Sequence, residues 1–291
     1  HLDSHMQWCI KEETQRVTPP EKGEYTSFQK YSRTLRVGYM CFFDFETAQG
    51  RARDYCECAA RRKKCMHKNI NVAQQNAVAY AYIVVDRFGT VVEQDSYLGA
   101  DAGQHFATRI IALGKKYADK TREVVPLVMT DEEEKAFKYA TQCHICKENL
   151  GTDRVRDHDH LSGEYCGPAH NGCNLQRREL PKLVAMAHGF GNFDSHILID
   201  SLAKEVRHTP IQAIPMNTER IKSLTVGNVT ILDSCAFLNG TLADLVRTLE
   251  VSSHTWPIMS QWIKSPEDRA LLLSKGIYPY DYLTSEKVFE E

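Results

Sequence analysis

A short stretch of the chain places cysteine and histidine at the spacing of zinc ligands. It opens with C-H-I-C and closes with H-N-G-C-N, and it supplies four donors: Cys143, Cys146, His170 and Cys173. Two such knuckles together fill a tetrahedral coordination sphere with protein ligands. We therefore expect one structural Zn²⁺ and a small metal-held unit within a chain of 291 residues.

Five polar residues lie between or beside these ligands. The run D-H-D-H contributes Asp157, His158, Asp159 and His160, and Asn174 directly follows the last zinc ligand. A carboxylate, an amide oxygen and a neutral imidazole held together are suited to binding one Mg²⁺ and activating a water molecule. The alternative is a zinc knuckle that only staples a loop, with incidental histidines and aspartates.

The stretch D-H-D-H-L-S-G, followed by C-N, resembles the phage recombination endonuclease VII type of ββα-metal (HNH) nuclease, with HxxC in place of the second CxxC. The resemblance implies an inserted module over residues 139–178 in which Asp157 and Asn174 hold the divalent metal. It also implies that His158 is the general base, supported by Asp159 and His160. Four flanking arginines are expected to hold the DNA backbone: Arg154, Arg156, Arg177 and Arg178.

The composition indicates a globular protein from a reducing compartment. Hydrophobic residues make up 42% of the chain and charged residues 25%, which is enough to bury a core. Ten cysteines occur, but four have zinc spacing, and no secretory or membrane-length apolar run is present. The net charge of −2 neither favours nor excludes nucleic-acid binding. We expect an intracellular protein with no membrane partner, in which Cys41 and Cys235 are core thiols.

Hydrophobic periodicity predicts a mixed α/β sheet that the zinc module interrupts. Apolar runs predict strands at residues 34–45, 77–86, 90–98 and 183–188, and a hairpin at 224–232. Amphipathic patterns predict helices at 103–117, 131–139 and 195–206. Residues 1–23 are expected to be a vector remnant and an N-terminal tail, so the sheet domain comprises 24–138 and 179–291.

Acidic residues near the predicted strand ends form a second candidate site. In F-D-F-E-T, Asp44 and Glu46 are two residues apart, so both side chains lie on one face of the strand. Asp194 is expected in a loop between a strand and a helix. Three convergent carboxylates are suited to two-metal phosphodiester hydrolysis, whereas an isolated D-x-E is also common among solvated strand ends.

Several motifs in order resemble the protein-primed family B DNA polymerases of Polinton (Maverick) transposons. They are F-D-F-E-T, the zinc motif, G-F-G-N-F-D-S-H, L-D-S-C-A-F-L and Y-P-Y-D-Y-L. The resemblance implies a ribonuclease H-like 3′-5′ exonuclease fold, with Mg²⁺ or Mn²⁺ held by Asp44, Glu46 and Asp194, and with Ser234 beside the primer strand. The family's third motif, Tyr-x-x-x-Asp, would lie beyond Glu291, and no polymerase activity is expected in this chain.

That resemblance also implies partners and a location. The expected partners are DNA and the remainder of a DNA polymerase chain, and the expected location is the nucleus or sites of viral or transposon DNA replication. The competing class is a catalytically inactive nucleic-acid-binding or scaffolding module derived from such a polymerase.

A basic segment at residues 51–68 allows two interpretations. It contains a possible second zinc set, Cys56, Cys58, Cys65 and His67. The alternative is a solvated loop with free thiols. In either case we expect phosphate contacts from its cations, which are Arg51, Arg53, Arg61, Arg62, Lys63 and Lys64.

Overall fold

A computed structural model describes residues 21–23, 35–50, 74–177, 181–205, 209–251, 255–274 and 276. The strands within these ranges are β1 (Tyr39–Gly50), β2 (Gln74–Asp86), β3 (Val91–Leu98), β4 (Arg154–His158), β5 (Tyr165–His170), β6 (Leu183–Ala187), β7 (Ile211–Pro215), β8 (Ile221–Val226) and β9 (Val229–Asp233). The helices are α1 (Ala102–Arg122), α2 (Asp131–Tyr139), α3 (Asn171–Gln176), α4 (Asp194–Glu205), α5 (Leu242–Val251), α6 (Met259–Trp262) and α7 (Pro266–Leu273). A 3₁₀ turn spans Ser234–Ala236.

Seven strands form one mixed sheet in the order β3-β2-β1-β6-β9-β8-β7. Strand β1 pairs antiparallel with β2 and parallel with β6, and β6 pairs parallel with β9. The remaining neighbours are antiparallel hairpins. The predicted mixed α/β sheet is therefore confirmed, and the separate β4-β5 hairpin lies between β3 and β6 in the chain.

Helix α1 covers one face of the sheet with an apolar stripe. Phe106, Ile110, Leu113 and Tyr117 recur at helical spacing and are each at most 2% exposed. They pack with β1 side chains such as Phe43, whose ring centroid lies 4.7 Å from that of Phe106. Burial of this stripe fixes α1 on the sheet, and α4 packs beside it.

Several predicted boundaries agree with the structure, and others shift. The predicted helix at 131–139 matches α2, whose Thr130 and Glu133 form a capping box. The predicted helix at 103–117 extends to Arg122. Cys41 is fully buried as expected, but the placement of Cys235 in the core was wrong. Strand β9 ends at Asp233, so Cys235 falls in the exposed 3₁₀ turn.

The β4-β5 hairpin and helix α3 form a compact ββα unit beside the sheet. Its own small core contains Cys143, Leu150 and Ala169. The segment after α1 attaches it to the sheet domain, because the backbone N–H of Val125 donates to the carbonyl of His160 over 2.8 Å. Among the described helices, none is both long and apolar enough to span a bilayer.

Candidate functional site

The structure brings the four predicted zinc ligands together. One donor atom from each of Cys143, Cys146, His170 and Cys173 lies within 4.8 Å of all the others. The His170 Nδ1 atom is 3.4 Å from the Cys146 sulfur and 3.8 Å from the Cys173 sulfur. Tetrahedral Zn²⁺ with ordinary Zn–S and Zn–N bonds requires a sulfur-to-nitrogen separation of about 3.6 Å. The donor set therefore fits zinc.

Local backbone geometry sets these ligands in place. In the first knuckle the N–H of Lys147 donates to the carbonyl of Cys143, and Lys147 itself has a positive φ of 66°. In the second, His170 ends β5 and Cys173 lies in the following helix. The other ring nitrogen of His170, Nε2, bonds the carbonyl of Asn149 over 2.8 Å, which leaves Nδ1 for the ion.

The thiol of Cys143 is prepared for a metal. Its burial by itself raises the pKa, but hydrogen bonds from backbone groups of Cys146, His170 and Ile145 outweigh it and lower the pKa to about 6. Zinc binds the thiolate form, which the lowered pKa of Cys143 favours, whereas burial and the neighbouring cysteines raise the pKa of Cys173, so zinc would displace a proton there.

A cavity of about 360 Å³ adjoins this cluster and contains the predicted nuclease residues. Its lining includes Asp157, His158, Asp159, His160, Asn174 and Arg177. Strand β4 supplies the first two, the loop after it the next two, and α3 and the residue after α3 the last two. Residues that are up to 20 positions apart thus converge because the ββα unit folds β4 against α3.

Asp157 is the most enclosed of these groups, at 2% exposure. Its Oδ2 atom bonds the His144 Nε2 atom over 2.7 Å and also accepts from the Arg177 guanidinium. Burial raises the pKa of Asp157, but the hydrogen bonds from His144 and Arg177 outweigh it and hold the pKa below its ordinary value. Both contacts involve Oδ2, so a cation would bind through Oδ1 or displace Arg177.

His158 has a ring nitrogen suited to proton transfer. Its Nε2 atom is buried and has no hydrogen-bond partner among the described residues. The ring of His160 lies 5.0 Å away between centroids. A buried polar atom without a partner is unusual and calls for a bound water or ligand group.

Asp159 has a positioning role. Its Oδ1 atom accepts from the N–H groups of Leu161 and Ser162, and its Oδ2 atom pairs with Arg87 over 2.6 Å. Arg87 belongs to the turn between β2 and β3. Asp159 therefore shapes the loop that carries His160 and joins the ββα unit to the sheet.

Two of the predicted DNA-contacting arginines have partners within the protein. Arg154 donates to the carbonyls of Phe137, Lys138 and Ala140 at the end of α2. Arg156 pairs with the exposed carboxylate of Glu134, with one contact of 3.0 Å. The structure therefore gives Arg154 a helix-capping contact and leaves Arg156 near solvent.

The sheet acids occupy a second region. Phe43 and Phe45 are buried, so Asp44 and Glu46 lie together on the other face of β1, as predicted. Asp194 is the first residue of α4 rather than a loop residue and is 6% exposed. Burial is the main cause that raises its pKa to about 7, and the charges of Asp44, Asp233 and Glu46 add to it. These carboxylates therefore interact.

Ser234 and Asp233 brace the loop that leads to Asp194. The two oxygens of Asp233 accept from the N–H groups of Gly189 and Gly191 at 3.0 and 2.9 Å. A Cβ on Gly191 would meet the carbonyl oxygen of Ile221 at 2.6 Å, so only glycine allows this approach. Ser234, predicted to lie beside a primer strand, bonds the His188 ring over 2.9 Å.

Sequence reasoning missed two residues that line the first cavity and one, His144, that contacts the cavity residue Asp157. His144 lies between two zinc cysteines, and this position next to a ligand was a usable signal. Arg87 and Arg122 line this cavity but come from the sheet domain, and nothing in their local sequence indicates that they lie there. The predicted sites at residues 51–68 and at Arg178 lie outside the described residues.

Among the described residues, the Cys143 cluster is the one group of three or more potential ligands whose atoms all lie within 4.8 Å of one another. The sheet carboxylates are more widely spaced than that. Comparison of the chain with protein-family models and with curated proteins finds no match.

Proposed function

We propose that the chain is a metal-dependent DNA nuclease whose hydrolytic site is the ββα unit. The observation that carries the proposal is the cavity in which Asp157, His158, Asn174 and Arg177 converge beside the Cys143 cluster. A carboxylate and an amide oxygen for a divalent cation, a base and a cation for phosphate are the groups that phosphodiester hydrolysis requires.

The metals in this proposal follow from the donor atoms. Zinc would be structural, since Cys143, Cys146, His170 and Cys173 provide four ligands at suitable separations. Asp157 and Asn174 offer oxygen donors of the kind that Mg²⁺ or Mn²⁺ prefers. A divalent ion held there would stabilise negative charge on the scissile phosphate and the leaving oxygen.

Side chains of the protein would perform the remaining functions of hydrolysis. The free Nε2 atom of His158 would accept the proton of the attacking water. Arg177, which contacts Asp157, lies where it would bind a phosphate oxygen once the substrate enters. His160 and Asp159 hold the loop that encloses the base.

Nicking of supercoiled circular DNA by the parent and by His158→Ala tests this function. General base catalysis contributes about 10²- to 10⁴-fold in rate, so the variant should show no visible nicking. Both proteins are matched for zinc content and thermal unfolding. Equal nicking by both would remove His158 from the mechanism, and no nicking by the parent with any divalent ion would favour a binding or scaffolding module.

A second nuclease site on the sheet is supported by a separate observation. The strand order β3-β2-β1-β6-β9, with β1, β6 and β9 parallel, is the arrangement expected of a ribonuclease H-like exonuclease. Burial and then the charge of Asp44 raise the pKa of Asp194, and a shared cation would lower it. Such an enzyme would act where DNA is replicated, including the nucleus.

Degradation of end-labelled linear DNA distinguishes the two sites. Loss of 3′ label that survives His158→Ala but not Asp44→Asn would assign exonuclease activity to the sheet. Nicking that survives Asp44→Asn but not His158→Ala would assign endonuclease activity to the ββα unit. Because the two regions are separate, each variant serves as the control for the other.

A further inference from the structure

The cavity at the proposed nuclease site has two walls from different parts of the fold. One wall is the ββα unit with His158, Asn174 and Arg177. The other belongs to the sheet domain and includes Arg87 from the β2-β3 turn and Arg122 from the last turn of α1. A nuclease module that worked alone would not need the second wall.

The three arginines of the cavity differ in what holds them. Arg177 is engaged by the buried carboxylate of Asp157, and Arg87 by Asp159 in a pair whose side chains are 9% and 16% exposed. Arg122 instead pairs with Asp119, three residues earlier on the same helix, in a pair that is 52% and 55% exposed. Exposed pairs of this kind contribute little to stability, so Arg122 is the guanidinium of the three that a phosphate would recruit at least cost.

We propose that Arg122 binds a DNA backbone phosphate next to the one that is cleaved, so that the sheet domain completes the substrate site of the ββα unit. This inference rests on the proposed function and names a positioning residue for it. A guanidinium presents two parallel N–H donors to a phosphate and would orient the strand across the cavity. The DNA strand would then pass between the two walls of the cavity and not along the β4-β5 hairpin alone.

The test measures binding of a short fluorescent duplex by anisotropy in EDTA, so that cleavage does not intervene. Neutralising one phosphate contact should reduce the slope of log affinity against log salt by about 0.9. Arg122→Gln should show this reduction, and Arg122→Lys should restore the parent slope. The control is Lys120→Gln, which removes a cation from the same last turn of α1 but from a residue that does not line the cavity.

A role of Arg122 in stabilising the end of α1 would affect Lys120→Gln similarly and would leave the salt slope unchanged. Equal slopes for Arg122→Gln and Lys120→Gln would overturn the proposal. Nicking kinetics separate this failure from failure of the proposed function. In an active parent, Arg122→Gln should raise KM several-fold with little change in kcat, whereas an inactive parent would reject the nuclease function and, with it, the positioning role.

Discussion

The two acidic regions of this protein use opposite electrostatic arrangements. In the ββα unit the buried Asp157 lies against His144 and Arg177, and its pKa is lowered. At the sheet the buried Asp194 lies near Asp44, Asp233 and Glu46, and its pKa is raised to about 7. The first carboxylate has the Arg177 guanidinium and the His144 imidazole as hydrogen-bond partners, and the second has only other acids as its main charged neighbours.

This difference in pKa predicts how each region would respond to metal and pH. A carboxylate with a lowered pKa stabilises the fold above its ordinary pKa and loses that contribution as the pH falls. A carboxylate with a raised pKa stabilises the fold when protonated and loses that contribution as the pH rises through about 7. We therefore expect the sheet region to gain most from an added divalent cation and the ββα unit to depend on zinc for its shape.

The largest expected effect comes from removing zinc ligands. The double variant Cys143→Ser, Cys146→Ser should lose one zinc per chain, unfold the ββα unit and abolish nicking, because structural zinc contributes about 10 to 16 kcal/mol. The sheet should stay folded, since its core is separate from that of the unit. Metal analysis and limited proteolysis measure both outcomes.

Cys166→Ser is the matched control, because Cys166 lies on the same hairpin but outside the ligand cluster. Its zinc content should equal that of the parent. Unchanged zinc in the double variant would reject the assignment of Cys143 and Cys146 as zinc ligands. Unfolding of the whole chain would show that the sheet does not stay folded without the ββα unit.

An intermediate effect is expected from Asp194→Asn. The pKa of Asp194 is about 7 in the fold, against an ordinary 3.8. At pH 8 the carboxylate is ionised and lowers the free energy of unfolding, and this penalty is nearly absent at pH 4, where the carboxyl group is protonated in the fold. Removing this charge should raise the free energy of unfolding at pH 8 by roughly 2 to 4 kcal/mol, with less than half that gain at pH 5. Urea denaturation at the two pH values measures the difference.

Asp200→Asn, on the exposed side of the same helix, should change stability little at either pH. Mn²⁺ should raise the melting temperature of the parent more than that of Asp194→Asn, since a cation stabilises the state that binds it. Equal gains for the two variants at pH 8 would show that the acids at the sheet do not repel one another.

The smallest expected effects on stability distinguish Arg154 from Arg156, two nearby arginines of the ββα unit. Arg154→Gln removes bonds to three carbonyls at the end of α2 and should cost about 1 to 2 kcal/mol of stability. Arg156→Gln breaks an exposed pair with Glu134 and should cost less than about 1 kcal/mol. Thermal unfolding of both variants measures these costs.

DNA binding should show the reverse order, because Arg156 is free to exchange Glu134 for a phosphate while Arg154 is held by backbone carbonyls. Anisotropy titrations in EDTA provide that comparison. A larger loss of affinity for Arg154→Gln would show that DNA recruits Arg154 in preference to Arg156.

Much of the local architecture could be predicted from the sequence. The buried stripe of α1 and the capping box of α2 follow from spacings within a few residues. The short elements β4, β5 and α3 were not predicted individually, since runs of five or six residues carry too little periodicity. Asp194 was assigned to a loop because helix starts are poorly defined by pattern alone.

The cluster of Cys143, Cys146, His170 and Cys173 could be predicted from the sequence, because each knuckle pairs residues three apart and one shared zinc was expected to join the two knuckles. His158 and Asn174 were likewise expected from the D-H-D-H run between the knuckles and from the position after Cys173, together with the family resemblance of these motifs. Tertiary structure alone decided that Arg177 contacts Asp157 and that Arg122 lines the cavity. These pairings join segments far apart in the chain, and their distances and charges depend on strand order and packing rather than on any local pattern.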